Sequence, residues 1–358
     1  MLSGSKKGGV SAAVVSLTAS EYAFTKPVQP YMDGKIDLDE DLLQEKDQES
    51  SSYRNDQTVV LDCGRKLGYC EHGEATGEPI VFFPGAGFGR RHIPTPFPNL
   101  LMEHSVRFIV VDRPGYGLSD LHPGRCYRDW ASDVRQLMKH LKINKARFLA
   151  HSAGTPHLAA VCAFAPELVT VAALVCPVSP IVGDPPRDRP HENCARGCGR
   201  FCLLNCGGCL DKLFAVAFGK WQTDPTTFVK DSRKQIVAGN DIAFMEDNPH
   251  FFEIRFASDF GHAVQPPDGV SAMLGDMFHV NRSAWGFRYS DLNVPIQVWY
   301  GGVDDTAPHG EWICGQLGIK GRCIAGSGHG LIFSEFGPII CELLAGANAG
   351  GVDQDNAT

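Results

Sequence analysis

The sequence predicts an α/β protein: a mostly parallel, doubly wound sheet with one long inserted segment. Three observations predict it. From residue 58 onward, short apolar runs alternate with stretches of helical spacing. The runs are apolar almost throughout rather than at every second position, as strands covered on both faces require. The alternation stops after Cys176 and resumes at Pro295, so the block between them is inserted between two strands of one sheet.

Taken in order, Thr58–Asp62 and Lys66–Glu71 read as two short strands separated by Gly64. Pro79–Phe83 is the first fully apolar run and ends at Pro84-Gly85. Arg107–Val111 follows and ends at Asp112. Tyr127–Leu141 has helical spacing, with Trp130, Val134, Leu137, Met138 and Leu141 on one face. Arg147–Ala150 is the next strand, the Ala-rich Ala153–Ala165 a buried helix, and Leu168–Cys176 another strand. After the break come a strand at Pro295–Tyr300, a helix at Gly310–Leu317, a strand at Lys320–Ala325 and a helix at Leu331–Leu344.

Composition bounds what such a chain can be. At about 150 residues per domain, 358 residues allow two domains or one large domain with an insertion. With 43% hydrophobic and 21% charged residues, the chain can bury a core, and global disorder is excluded. A net charge of −8 argues against a nucleic-acid partner. No apolar run approaches the roughly 20 residues of a membrane span. The 13 cysteines are odd in number and read as mostly free thiols in a reducing compartment, which makes the cytoplasm the expected location. Against that stands Val10–Leu17, a short apolar run behind Lys6 and Lys7 that is interrupted by Ser11 and Ser16 and makes only a weak targeting signal.

Residues 1–55 read as a tail, acidic over 37–49, and residues 349–358 as a second tail. The core is expected over 56–176 and 293–348, with the insertion over 177–292.

Chemistry concentrates where strands end. The strand at 147–150 runs into Ala150-His151-Ser152-Ala153-Gly154, and a helix follows at once. Small residues two positions either side of a serine permit a sharp strand-to-helix turn that exposes its hydroxyl, and the helix start offers backbone N–H groups to an oxyanion. Alone, this pattern equally fits an exposed serine on a tight turn. Two later segments shift the balance. Tyr300-Gly301-Gly302-Val303-Asp304-Asp305 places carboxylates after a strand, and Gly326-Ser327-Gly328-His329-Gly330 places an imidazole on a glycine-flanked loop after the next. The chain order Ser, Asp, His suits a nucleophile, an orienting acid and a base. His151 reads as packing or polar support beside Ser152, because adjacent side chains leave a strand on opposite faces. Arg113-Pro114-Gly115-Tyr116-Gly117 lacks the Gly-Lys-Ser/Thr ending of a phosphate loop and reads as a tight structural connection.

These segments, together with Leu61–Tyr69, Val111–Ser119 and Trp285-Gly286-Phe287, resemble the α/β-hydrolase fold superfamily over residues 58–345, in its proline-iminopeptidase/epoxide-hydrolase-like branch. The resemblance implies Ser152 as nucleophile, His329 as base and Asp304 as acid. Asp304 is preferred to Asp305 because Gly301-x-x-Asp304-x-x-x-Pro308 matches the family's spacing; Asp305 stays open as the alternative. It also implies an oxyanion hole from the backbone N–H groups of Ala86 and Ala153. Phe83-Pro84-Gly85-Ala86 stands where the family has His-Gly-x, so Pro84 leaves open what holds that loop. The insertion would form a cap whose aromatic residues partly line an apolar pocket.

The expected function is hydrolysis of a small, fairly apolar ester through an acyl-enzyme, with no cofactor and no metal. A serine aminopeptidase or amidase of the same fold is the alternative reaction. A non-hydrolytic protein that keeps the triad to sense a small ligand, and a scaffold protein, are the alternatives from other classes. A serine nucleophile argues against epoxide hydrolysis and dehalogenation, which normally use aspartate. Cys194, Cys198, Cys202 and Cys206 recur every four residues, followed by Cys209. Three readings compete for Cys194–Cys209: a small-residue packing face, acylation or membrane contact, and a metal site lacking the usual paired spacing. Asn281-Arg282-Ser283 and Asn356-Ala357-Thr358 fit the glycosylation sequon, which is common by chance.

Overall fold

One sheet of eight strands organises the chain, in the order β1-β2-β4-β3-β5-β6-β7-β8. The strands are β1 (Gln57–Val60), β2 (Lys66–Gly73), β3 (Glu78–Phe83), β4 (Val106–Val111), β5 (Ala146–His151), β6 (Val169–Val175), β7 (Ile296–Gly301) and β8 (Arg322–Ile324). A computed structural model describes residues 56–97, 99–180, 207–224, 227, 238–281 and 284–346. The expected tails and Cys194, Cys198, Cys202 and Cys206 lie outside the described residues, as does the side chain of Cys209.

β1 and β2 run antiparallel, β2 is antiparallel to β4, and every pairing from β4 to β8 is parallel. The central strands alternate between two cores. Ile80, Phe82, Phe108, Val110 and Leu149 face one side; Val81, Phe83, Ile109, Phe148 and Ala150 face the other. Both sides are covered, which is why these strands carry apolar residues at nearly every position.

The helices follow from local rules. α1 (Tyr127–His140) buries Trp130, Val134, Leu137 and Met138, the stripe its spacing predicts. Its first turn is closed by Asp129, whose carboxylate accepts the Cys126 N–H at 2.8 Å. α2 (Thr155–Phe164) is buried on all sides over its first eight residues, in keeping with its lack of a polar face. Between β6 and β7 the described residues form α3 (Gly207–Thr223), α4 (Asn240–Asp247), α5 (Phe256–Ala263) and α6 (Gly269–Leu274). Phe251, Phe252, Phe256 and Phe260 from this segment pack into the same core as Phe82 and Phe108.

The last part differs from the expectation in two helices. α7 (Ala307–Leu317) starts three residues earlier than its apolar spacing suggests, with Pro308 in its first turn, where a missing N–H costs nothing. The single helix expected over Leu331–Leu344 is broken into Leu331–Ser334 and α8 (Phe336–Ala345). Pro338 is the reason: it cannot donate to the Ser334 carbonyl, and its ring collides with that carbonyl in a continuous helix.

Register brings the functional loops together. Phe83 pairs with Ala150, His151 with Val175, Val175 with Trp299, and Gly301 with Ile324. The carboxyl ends of β3, β5, β6, β7 and β8 therefore share one rim, where open α/β sheets collect ligand chemistry.

Candidate active site

β5 delivers Ser152 to this rim in a strained conformation. Its φ is 51°, in the left-handed region that costs a residue with a Cβ about 1–3 kcal/mol. The strain comes from the abrupt change from strand to helix, and it lifts the hydroxyl out of the elbow. Gly154 makes the turn possible. A Cβ there would collide with the Phe83 carbonyl oxygen and lie 2.7 Å from that of Pro84. Gly154→Ala is accordingly expected to destabilise the protein by about 1–3 kcal/mol, read as a lower urea midpoint at unchanged m-value. Ser152, Ala153 and Ala86 are half-buried, whereas Gly85, Gly87, His151 and Gly154 beside them are buried.

His329 reaches this hydroxyl from the loop after β8. Its Nε2 lies 2.8 Å from Ser152 Oγ and its Nδ1 2.9 Å from Asp304 Oδ2. A carboxylate only accepts, so Nδ1 carries the proton and Nε2 is left to accept from the serine. Asp304 is fixed from its other side by Thr306, whose N–H donates to Oδ1 at 2.8 Å and whose hydroxyl donates to Oδ2 at 2.7 Å. Burial opposes ionisation of Asp304, but the hydrogen bonds and charge of His329, with those from Thr306, hold its carboxyl well below the usual range. Asp305 is exposed. The Asp304 carboxylate is the one that meets the imidazole.

His151, expected as packing or polar support, has its Nε2 3.1 Å from the His329 carbonyl oxygen. Burial, followed by the nearby His329, pushes its pKa down to about 3, so it is neutral and donates this bond. Cys176, the first residue after β6, is buried beneath the same group with φ 46°. Its sulfur, a carboxylate oxygen of Asp304 and a ring nitrogen of His329 lie within 4.8 Å of one another. Among the described residues this is the trio with donors suited to a metal ion. Two of its members already bind each other, and burial and the Asp304 charge keep the thiol protonated.

The loop after β3 packs on the elbow. A Cβ on Gly85 would sit 3.4 Å from Ser152 Cβ. Where Pro84 left the support of this loop open, the structure supplies Arg113. Its guanidinium is fully buried and donates to the carbonyl oxygens of Pro84 and, at 3.0 Å, Gly85. In a trans peptide C=O and N–H point in opposite directions, so holding the Gly85 carbonyl aims the Ala86 N–H away from Arg113. Arg113 Nε in turn donates to Asp276 at 2.6 Å. Asp276 also accepts from Arg125, and His157 Nε2 lies 3.5 Å from it. Burial would raise the Asp276 pKa, but Arg113, His157 and Arg125 bring it down to about 2.

Comparison with known proteins agrees with this architecture. Residues 78–193 match the family described as the α/β hydrolase fold. No curated protein sequence matches the chain. Among solved structures, a hydrolase from Pseudomonas aeruginosa PA01 superposes with a TM-score of 0.58 at 16% identity, covering 81% of this chain and 98% of that one. The enol-lactonase from Burkholderia xenovorans LB400 gives 0.57 at 19%, covering 81% and 100%. A thermophilic esterase from Thermogutta terrifontis gives 0.58 at 18%, covering 82% and 98%.

The chain has the α/β-hydrolase fold.

Two carboxylates of this α/β-hydrolase-fold protein escaped the sequence reading, Asp276 and Asp241, both from the segment between β6 and β7. Nothing local marks either: each is one acidic residue in a helical stretch. Arg113 was legible only as part of a turn. The sequon residue Asn281 is buried, and its amide oxygen accepts from Tyr127 and Trp285. No described helix of the α/β-hydrolase-fold protein is long and apolar enough to cross a membrane.

Proposed function

We propose that this protein is a serine hydrolase that cleaves small, fairly apolar esters through an acyl-enzyme. The observation that carries the reading is the unbroken row of hydrogen bonds from Ser152 through His329 to Asp304, opening where Ser152 and Ala153 are half-buried.

In this mechanism His329 Nε2 takes the proton from Ser152 Oγ as the oxygen attacks the ester carbonyl. Asp304 holds the tautomer and stabilises the imidazolium. The N–H groups of Ala86 and Ala153 hold the oxyanion, each contributing about 2.7–4 kcal/mol in comparable sites. Imidazolium then protonates the leaving alkoxide. Water, deprotonated by the same nitrogen, releases the acid and restores Ser152.

The segment between β6 and β7 serves as a cap in this reading. Its Phe251, Phe252 and Phe256 pack edge-to-face against Phe333, four residues beyond His329, with ring centroids 5.9, 5.1 and 5.7 Å apart. Apolar surroundings of this kind favour an apolar acyl group over a charged peptide. The lactonase and esterase among the structural neighbours are consistent with acyl transfer to water.

A fluorophosphonate probe tests the nucleophile directly. The protein is expected to be labelled stoichiometrically at Ser152, and Ser152→Ala to lose the label while keeping its melting temperature. Absence of label on the folded protein would sink the proposal. Labelling without turnover on a panel of esters of graded chain length would replace hydrolysis by ligand binding.

A further inference from the structure

We propose that Asp241 is a positioning residue for His329, one carboxylate oxygen from the segment between β6 and β7 holding the N–H groups on both sides of the histidine. The proposal rests on the reading of His329 as the proton carrier and adds to it what keeps that imidazole in place.

The loop that carries His329 has little stiffness of its own. It follows the last strand and contains Gly326, Gly328 and Gly330, the residue type with the most backbone freedom. Asp241 sits in the first turn of α4 and is buried. Its Oδ2 accepts the Gly328 N–H at 3.0 Å and the Gly330 N–H at 2.9 Å. These amides bracket His329, so a single oxygen atom holds the 327–328 peptide before it and the 329–330 peptide directly after it. The glycines are what let the carboxylate approach: a Cβ at Gly328 or Gly330 would lie 2.9 or 3.0 Å from Oδ2. The neighbouring backbone runs alongside. The Asn240 N–H donates to the Gly326 carbonyl at 2.7 Å, and Gly239 pairs with Ser327 as an isolated antiparallel bridge.

A neutral acceptor would hold two amides at lower desolvation cost. Asp241 Oδ1 is buried and, among the described residues, has no hydrogen-bond partner. Burial, against the two amides and with repulsion from Asp304, pushes the pKa of Asp241 up to about 6. The titratable groups that face it are Asp304, His329 and Cys176. Of these only His329 becomes a cation during turnover. An anionic Asp241 therefore favours the imidazolium that forms when Ser152 gives up its proton, as well as fixing the loop.

The test compares the full-length protein with Asp241→Asn and Asp241→Ala by the rate of fluorophosphonate labelling from pH 5 to 9 and by amide exchange of the segment 326–330. Asp241→Ala is expected to label about tenfold more slowly at pH 8 and to exchange the Gly328 and Gly330 amides faster. Asp241→Asn keeps one acceptor oxygen and is expected to recover part of the rate. Without the neighbouring anion the imidazolium is less favoured, so the acidic limb of its labelling profile moves to lower pH. If Asp241→Ala does not fold, Asp241→Asn decides by the same limb. Labelling within twofold of the parent protein in both variants, with the limb unmoved, overturns the proposal. Failure of the parent protein itself to label sinks the nucleophile instead; amide exchange then decides on the strap alone, and unchanged exchange in Asp241→Ala overturns it.

Discussion

Asp304→Asn is expected to slow ester turnover about 10⁴-fold, the loss seen when a comparable triad carboxylate becomes an amide, whereas Asp305→Asn leaves turnover within about twofold. The carboxylate of Asp304 accepts from His329 Nδ1 and so places the lone pair on Nε2, facing the serine. A carboxamide held by Thr306 through its oxygen would present its NH₂ to the imidazole. Nδ1 would then have to accept, and the proton would move to Nε2, where it blocks the serine's own. Size and packing are unchanged, so the melting temperature is expected to stay close to the parent's. Asp305 is exposed, and the carboxylate hydrogen-bonded to the imidazole is that of Asp304. Steady-state turnover of both variants on one ester decides, and comparable losses at the two positions would remove Asp304 as the orienting acid.

The second large effect is expected at Asp276. Asp276→Ala leaves the guanidinium groups of Arg113 and Arg125 buried without their shared counter-charge. Removing one partner of a buried ion pair costs about 3–5 kcal/mol, because the remaining charge has lost both its partner and its water. The sign with pH follows from the direction of the shift. The folded protein lowers the Asp276 pKa from 3.8 to about 2, so the unfolded chain binds the proton more readily. The stabilisation is complete above about pH 4 and is lost as pH falls towards 2. The stability gap between the parent protein and Asp276→Ala, measured by urea unfolding, is therefore expected to be full at pH 7 and to narrow below pH 4. A gap independent of pH would contradict the ion-pair account. Where the variant stays folded, kcat is expected to fall more than KM rises, because Arg113 acts on the peptide that carries the Ala86 N–H and not on the ground-state ester.

Asp241 and Asp276 give the segment between β6 and β7 a common physical role. One holds the histidine loop, and the other holds, through Arg113, the loop proposed to bind the oxyanion. Both contacts run from one inter-strand segment to loops that border Ser152.

How much of this could be read in advance differs by residue. β3, β4, β5 and β6 were legible because strands covered on both faces leave no polar positions to blur the run. α1 was legible from its single apolar stripe. Ser152 was legible because a sharp elbow demands Gly154, a local steric requirement. The break before α8 was legible in principle from Pro338, but the apolar run across it masked the signal. Arg113 and Asp276 were not: their partnership spans 163 positions, and a buried arginine looks like any other until its counter-charge is located. Asp241, 87 and 89 positions from the amides it accepts, is the same case.

The sequence by itself determined the fold class and put forward Ser152, Asp304 and His329, because hydrophobic period, strand ends and turn chemistry are set by near neighbours along the chain. Only the tertiary structure decided that Asp304 rather than Asp305 meets the imidazole, that Arg113 supports the loop where Pro84 stands, and that Asp241 straps the histidine. Those outcomes belong to distances between remote segments. Buried charges must be paired, but which partner meets each one is settled only when the elements pack.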